Sequence, residues 1–143
     1  MSRSAIVLGG GIAGLSAALA LRLAGYSVAV HEQADVIEPL GAAISLWPNA
    51  VTALRELGAL DAIAAEAAPI TTMLLATRDG KPLLGPWPVG EARHGEAAYL
   101  PTRALVQRSL MGALSDTPLH LGRRVVAVRE TGAEAIVAFA DGE

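Results

Sequence analysis

Gly9, Gly10 and Gly11, followed by Ile12, Ala13 and Gly14, satisfy the spacing G-x-G-x-x-G. That spacing suits one chemistry, the close approach of a pyrophosphate to peptide backbone. Gly9 would allow a sharp turn out of a preceding strand. Gly11, without a Cβ, would let the pyrophosphate come near the chain, and Gly14 would let a following helix lie against the sheet. The N–H groups at the start of that helix, near Ile12 and Ala13, would then face the phosphates with the positive end of the helix dipole behind them. Glu32 stands 23 residues after Gly9. A carboxylate there can accept hydrogen bonds from both ribose hydroxyls of an adenosine. It would also repel a 2′-phosphate, which disfavours NADP in this site.

Glycine-rich turns are common, so the motif has meaning only where a strand precedes it and a helix and a second strand come after. Residues 5–8, Ala-Ile-Val-Leu, form a continuous apolar run, the pattern of a strand buried on both faces. Residues 12–24 are strong helix formers, with Leu15, Leu19 and Leu23 stacked along one side and Gly25 at the usual C-terminal stop. Residues 27–31, Ser-Val-Ala-Val-His, read as the second strand. Together these elements imply a right-handed parallel βαβ crossover. The alternative, a plain buried strand, turn and helix with Glu32 merely solvated, requires four agreeing features to coincide. Residues 4–32 are therefore expected to bind the ADP half of a dinucleotide.

Further along, residues 35–40 read as loop. Asn49 is predicted to cap a helix over residues 50–57 that Gly58 stops, and Asp61 to start a second short helix ended by Pro69. Apolar runs at 70–77 and 81–87 flank Arg78, Asp79 and Gly80, a hairpin signal, and Pro82 confines its second strand to an edge. Residues 88–97 read as an open loop. Thr102 precedes a helical pattern that runs through Leu114 and is broken by residues 115–118. Residues 124–130 and 134–139 form another expected hairpin around Thr131 and Gly132.

A length of 143 residues suits one domain, and 52% hydrophobic content can fill its core. A net charge of −3 without a block of like charges argues against a nucleic-acid partner, which needs clustered Lys and Arg. The absence of cysteine excludes disulfides, thiolate zinc sites and a Cys nucleophile, and it accords with a reducing cytoplasm. Residues 4–21 carry no charge, which on hydropathy alone resembles a signal peptide or a membrane span. Three consecutive glycines in the middle suit a turn and not a spanning helix. The chain is expected to be cytoplasmic, with no membrane partner.

FAD and NAD share this unit, and the next segment of the chain bears on the choice. A plain NAD domain would continue with another helix–strand repeat. This chain instead runs through Gly41, Ala42, Ala43, Ile44, Ser45, Leu46, Trp47, Pro48 and Asn49 into a helix ending Leu54-Arg55-Glu56-Leu57-Gly58. With the GGGIAGLSAALAL opening and Glu32, that stretch resembles the FAD-dependent aromatic hydroxylases, the para-hydroxybenzoate and salicylate hydroxylase family of flavoprotein monooxygenases. Residues 101–110, PTRALVQRSL, resemble the family's helix that carries a flavin-contacting arginine, which falls on Arg103. The resemblance covers nearly the whole chain. Its dinucleotide motif is shared with many flavoproteins, whereas residues 41–49 and Arg103 are more particular to the hydroxylases.

The resemblance implies an α/β fold, a partial FAD/NAD(P)-binding Rossmann-like domain of glutathione-reductase type with β-hairpin insertions. Residues 1–143 would be its N-terminal part, with residues 1–34 the ADP-binding βαβ unit and about 70–100 the start of a substrate-domain sheet. It also implies FAD as cofactor, NAD(P)H as reductant, and oxygen transfer from O₂ to a small aromatic substrate. Arg103 stands out without the family as well. A cation in the first turn of a helix lies against the positive dipole end unless an anion is near; the plainer alternative is an arginine turned back into solvent.

No catalytic residue is assigned. Ser45 and Trp47 follow the glycine–alanine segment that by resemblance passes the flavin ring, but a serine without a partner is not a useful base, and the segment reads as backbone lining. Ala43 stands where many relatives have glycine. His31, His94 and His120 share no metal-ligand spacing and read as surface or strand residues, so no metal site is expected. Asp79 and Asp141 lie beside glycine in expected turns, and Arg123 and Arg124 read as a solvated strand start. Members of the family are much longer, with two further flavin motifs expected beyond residue 143. The chain alone is therefore a doubtful catalyst, and its incomplete sheet calls for a homo-oligomer or a complementing chain. Two other readings stay open: a different FAD oxidoreductase, such as an amine oxidase or lipid-directed reductase, and a non-catalytic nucleotide-binding or assembly fragment.

Overall fold

A computed structural model describes residues 3–37, 41–91, 95–132 and 134–142. The described elements run β1 (Ser4–Leu8), α1 (Ile12–Leu23), β2 (Ser27–His31), α2 (Pro48–Glu56), α3 (Leu60–Glu66), β3 (Thr72–Ala76), β4 (Pro82–Pro88), α4 (Arg103–Ala113), β5 (Leu119–His120), β6 (Val125–Glu130) and β7 (Ala135–Phe139). The chain divides into two compact units, one of Met1–Pro39 with Leu110–Glu143, the other of Leu40–Ser109.

In the first unit β1 and β2 pair in parallel, Ser4 opposite Ser27 through Leu8 opposite His31, with α1 between them in sequence. The expected βαβ unit is present. Its burial differs from expectation in two places. Only Val7 of β1 is buried, while Ile6 and Leu8 are 47% and 42% exposed. Side chains alternate along a strand, and α1 covers the side to which Val7 points, leaving the other side of β1 open. On α1 the buried stripe is Leu15, Ala18 and Leu19, with Leu23 68% exposed. Eight residues at 3.6 per turn carry Leu23 about 80° around the helix from Leu15, off the packed face.

A third strand carries no signal in the sequence. Leu119 and His120 pair in parallel with Val30 and His31, making a sheet of order β1-β2-β5 with β2 central. Two residues are too few to show a period. What draws them in is the free edge of β2: the Val30 N–H donates to the Pro118 carbonyl at 2.9 Å and the Glu32 N–H to the His120 carbonyl at 2.8 Å. The hairpin of β6 and β7 forms as expected, with Val125 opposite buried Phe139.

The second unit centres on Val51, Leu54, Leu60, Ile63 and Val106, all buried. Isolated bridges join Ala43 to Thr102 and Leu46 to Tyr99. Helix α2 begins earlier than expected: Trp47 is its N-cap and Pro48 its first residue, so Asn49 is not the cap. Proline's fixed φ and missing N–H make it a natural first helical residue. Helix α3 carries Asp61 in its first turn. Strands β3 and β4 form the expected hairpin, with Ala76 opposite Pro82 at one end and Thr72 opposite Pro88 at the other. The stretch expected as open loop loses Pro88 to β4 and buries Val89, because the Val89 N–H continues the ladder to the Thr71 carbonyl at 3.0 Å. Helix α4 starts behind Thr102, whose hydroxyl accepts from the Leu105 N–H at 3.2 Å, the N3 partner of a capping side chain. Further along α4 the buried Ser109 hydroxyl donates to the Ala59 carbonyl.

Candidate dinucleotide site

The glycine turn leaves β1 at Gly9, whose φ of +108° lies where L side chains are strained. Its N–H donates to the His31 carbonyl at 2.7 Å, so the turn is tied to the end of β2. Gly14 faces back on this turn from the first turn of α1. A Cβ added there would lie 1.9 Å from the Gly9 carbonyl oxygen and 3.5 Å from Val7 Cγ1. Only glycine permits this approach. Gly11 is the opposite case: a Cβ there would meet nothing within 4 Å. Gly11 is also the N-cap of α1, with no side-chain cap bond. The first N–H groups of any helix have no intrahelical acceptor. Those of Ile12 and Ala13 therefore open, with the dipole behind them, onto the space that Gly11 leaves clear.

Glu32 comes directly after β2. Its Oε2 accepts from the Gly10 N–H at 2.6 Å and its Oε1 from the Ala34 N–H at 2.9 Å. Donation from Ala34 and then Gly10 holds its carboxyl below the usual carboxylate range, against a smaller opposing effect of burial. An ionised carboxylate has about four acceptor positions, so its backbone bonds still leave room for a hydroxyl donor. The carboxylate thus pins the glycine turn while remaining able to accept from a ribose. Beside it lies an open cleft of about 240 Å³ lined by Leu8, Gly9, His31, Glu32, Gln33 and Arg123.

That cleft holds an arrangement with no signature in the sequence. His31 stacks on His120 with ring centroids 4.6 Å apart and on Phe139 at 4.7 Å. Arg123 lies over the Phe139 ring at 4.5 Å and donates to Asp141 Oδ2. Arg123 is therefore not a solvated strand start: the aromatic face and the carboxylate draw it in. Asp141, expected only as a turn residue, is its partner. Burial first, then the charges of His120 and Arg123, lower the His31 pKa. His31 and His120 are strand residues, as expected; His94 lies outside the described residues. The pairing of position 31 with 120 could have been found only by recognising β5.

Arg103 belongs to the second unit, as the first residue of α4. Its N–H donates to the Ala42 carbonyl at 3.2 Å, and Ala43 bridges Thr102, so the segment after Gly41 and the start of α4 are locked together. Ser45 lies in this segment, with Leu46 buried behind it. Among the described residues no group of three His, Cys, Asp or Glu could hold a metal ion. Among the same residues no helix is long and apolar enough to cross a membrane.

A strand, a glycine turn that excludes side chains, an open helix N-terminus and a pinned carboxylate form a site whose contacts suit an adenosine diphosphate moiety. The sequence matches the family described as FAD binding domain over residues 3–139. The chain belongs to that family. Among its relatives it is 36% identical over 141 residues to an FAD-dependent urate hydroxylase of Klebsiella pneumoniae, covering 96% of this chain and 36% of that protein. It is 38% identical over 142 residues to a 3-amino-4-hydroxybenzoate 2-monooxygenase of Streptomyces platensis, covering 95% of this chain and 35% of that one. Its fold is similar to the tetrameric form of 2-methyl-3-hydroxypyridine-5-carboxylic acid oxygenase, with a TM-score of 0.85 and 28% identity over 99% of this chain and 36% of that chain. The resemblance to FAD-dependent aromatic hydroxylases, the α/β FAD-domain fold and FAD as the cofactor type accord with these relatives. The chain spans about a third of the length of the curated relatives it matches.

Proposed function

We propose that this chain supplies the FAD-holding part of an NAD(P)H-dependent flavin monooxygenase that hydroxylates a small aromatic substrate. The observation that carries the reading is the Cβ-free opening at Gly11 over the start of α1, with Glu32 pinned beside the same turn. In this assignment Gly9 and Gly14 shape the turn, Gly11 admits the pyrophosphate, and the N–H groups of Ile12 and Ala13 donate to it. Glu32 accepts from the ribose hydroxyls, and Arg103 contacts the flavin cofactor from its own unit. Residues 1–34 act as the ADP-binding unit, and about 70–100 begin a substrate-domain sheet. FAD supplies the redox chemistry of such enzymes, taking reducing equivalents from NAD(P)H and activating O₂. The chain's own residues bind and orient it. No side chain here is assigned proton transfer.

The names of the relatives support an aromatic substrate, since one is a hydroxylase of urate and another a monooxygenase of an aminohydroxybenzoate. Leu74, Leu75, Leu83 and Leu84 on the β3–β4 hairpin are more than half exposed. Apolar surface of that kind supports a homo-oligomer or a complementing chain, and a similar structure is a tetramer. A cytoplasmic setting accords with the cofactors.

The test is a visible absorbance spectrum of the purified chain after gel filtration with added FAD. A flavin band co-eluting with the protein is expected. A chain that is folded by circular dichroism yet retains no flavin overturns the reading that these residues suffice to hold FAD, and leaves the family membership standing. NAD(P)H oxidation dependent on an aromatic substrate then separates an enzyme from a binding module.

A further inference from the structure

Gly41 has a φ of +110° and sits against Arg103. A Cβ at position 41 would lie 2.9 Å from Arg103 Cδ, 3.5 Å from Nε and 4.0 Å from Cγ. These are three consecutive atoms of one side chain, so the stem of Arg103 runs across the bare face of the glycine. We propose that Gly41 is a positioning residue for Arg103, a trough whose missing side chain sets the direction of the guanidinium.

Arg103 needs such a support. As the first residue of α4 it lies at the positive end of the helix, where a cation is repelled and would otherwise swing away. Among the described residues its guanidinium has no hydrogen-bond or ion-pair partner to hold it. Its backbone is fixed by the N–H bond to the Ala42 carbonyl, and the Ile44 N–H donates to the Pro101 carbonyl at 2.9 Å, so the trough and the helix start move as one piece. A methyl at position 41 strains its own backbone, at a φ of +110°, and also meets the Arg103 stem; the first effect is the same with and without Arg103, and the second is relieved by the flexible side chain. The guanidinium would be the part displaced. This extends the backbone-lining role read for residues 41–49, and its flavin consequence rests on the cofactor contact proposed for Arg103.

The experiment compares the whole chain with Gly41→Ala, Arg103→Ala and the double variant. The Arg103 Nε–H cross-peak in a nitrogen–proton NMR spectrum without FAD, assigned by its loss in Arg103→Ala, reads the position of the side chain directly. Gly41→Ala is expected to move that peak and to weaken FAD binding about tenfold, the size of one lost charge-assisted hydrogen bond. In the Arg103→Ala background the same change is expected to leave FAD affinity unaltered. An unmoved cross-peak, or an equal loss of affinity with and without Arg103, overturns the proposal by showing that Gly41 serves only its own backbone. Unfolding of Gly41→Ala in both backgrounds overturns it in the same way, whereas a double variant that regains the fold supports it. If Arg103→Ala binds FAD as well as the parent chain, the flavin contact is wrong, and the cross-peak alone still decides the positioning role.

Discussion

Replacing Gly14 with alanine sets two well-understood effects against each other. Gly14 lies within α1, and alanine in a helix interior is favoured over glycine by about 1 kcal/mol. Propensity alone therefore predicts a stabilised chain. The geometry predicts the reverse. The new Cβ would lie 1.9 Å from the Gly9 carbonyl oxygen, about 1.5 Å short of the distance at which ordinary contact begins. The obstacle is backbone in a turn tied to β2 through the Gly9 N–H, so no side-chain rotation relieves it. Helix α1 must move outward along its first turns, loosening the contact of Leu15 and Ala18 with the sheet. Overpacking of this kind costs about 1–3 kcal/mol and sometimes more, which exceeds the propensity gain. Urea unfolding followed by circular dichroism should show a lower midpoint with an unchanged slope. Gly11→Ala is the control. Open space surrounds position 11, so its stability should fall by less than about 1 kcal/mol, the scale of an altered N-cap, while FAD binding is lost. A Gly14→Ala chain as stable as the parent would refute the packing argument.

Predictions at three further residues come from the geometry. Glu32→Gln should weaken FAD binding on the order of tenfold, from the charged acceptor of the ribose hydroxyls, as isothermal titration would measure. The folded pKa of Glu32 is lowered, so its contribution to stability is present above the ordinary carboxylate range and fades as pH falls through the lowered value. Stability measured against pH should lose part of its acid dependence in that variant. His31 also has a lowered folded pKa, so it too contributes above its unfolded value near neutrality, and stability declines on acidification as the stacked ring is forced to charge. His31→Phe, which keeps a ring between His120 and Phe139, should flatten the profile on the acid side of the ordinary imidazole range, and an unchanged profile would count against that account. Ser109→Ala should cost about 1–3 kcal/mol in urea unfolding because the buried Ala59 carbonyl loses its donor.

The contrast between Gly11 and Gly14 shows what the sequence could and could not disclose. Both glycines are legible as members of a phosphate turn, and the strand, helix and strand around them are legible because each has a period and a stop. What the letters do not disclose is which glycine is fixed by packing and which by an absent neighbour. At α2 the pattern points to Asn49 as the cap, yet the helix starts at Pro48, because proline's own preference for the first helical residue outweighs a side-chain cap. Strand β5 is invisible for a different reason: it is held by the edge of β2 and has no pattern of its own. With β5 missing, the meeting of His31 with His120, and the role of Arg123 beside them, could not be seen.

Glu32 has a second role that its position in the sequence does not reveal. In the sequence it is a carboxylate at the right distance for ribose. In the fold it is also the clamp of the glycine turn, through the N–H groups of Gly10 and Ala34. A Cβ at Gly10 would lie 3.2 Å from Glu32 Cβ, so a side chain at position 10 would crowd the stem that carries the carboxylate. The two roles do not compete, because backbone donors and ribose hydroxyls use different lone pairs. They are coupled, however. Any change that moves the carboxylate also changes the shape of the phosphate turn, so variants at position 32 should affect affinity for ADP alone and not only for adenosine. Comparing the two ligands on Glu32→Gln and Glu32→Ala separates the roles. If Glu32 only reads ribose, both ligands weaken equally in both variants. If it also shapes the turn, ADP weakens more than adenosine, and most in Glu32→Ala, which removes the Oε2 that accepts from the Gly10 N–H.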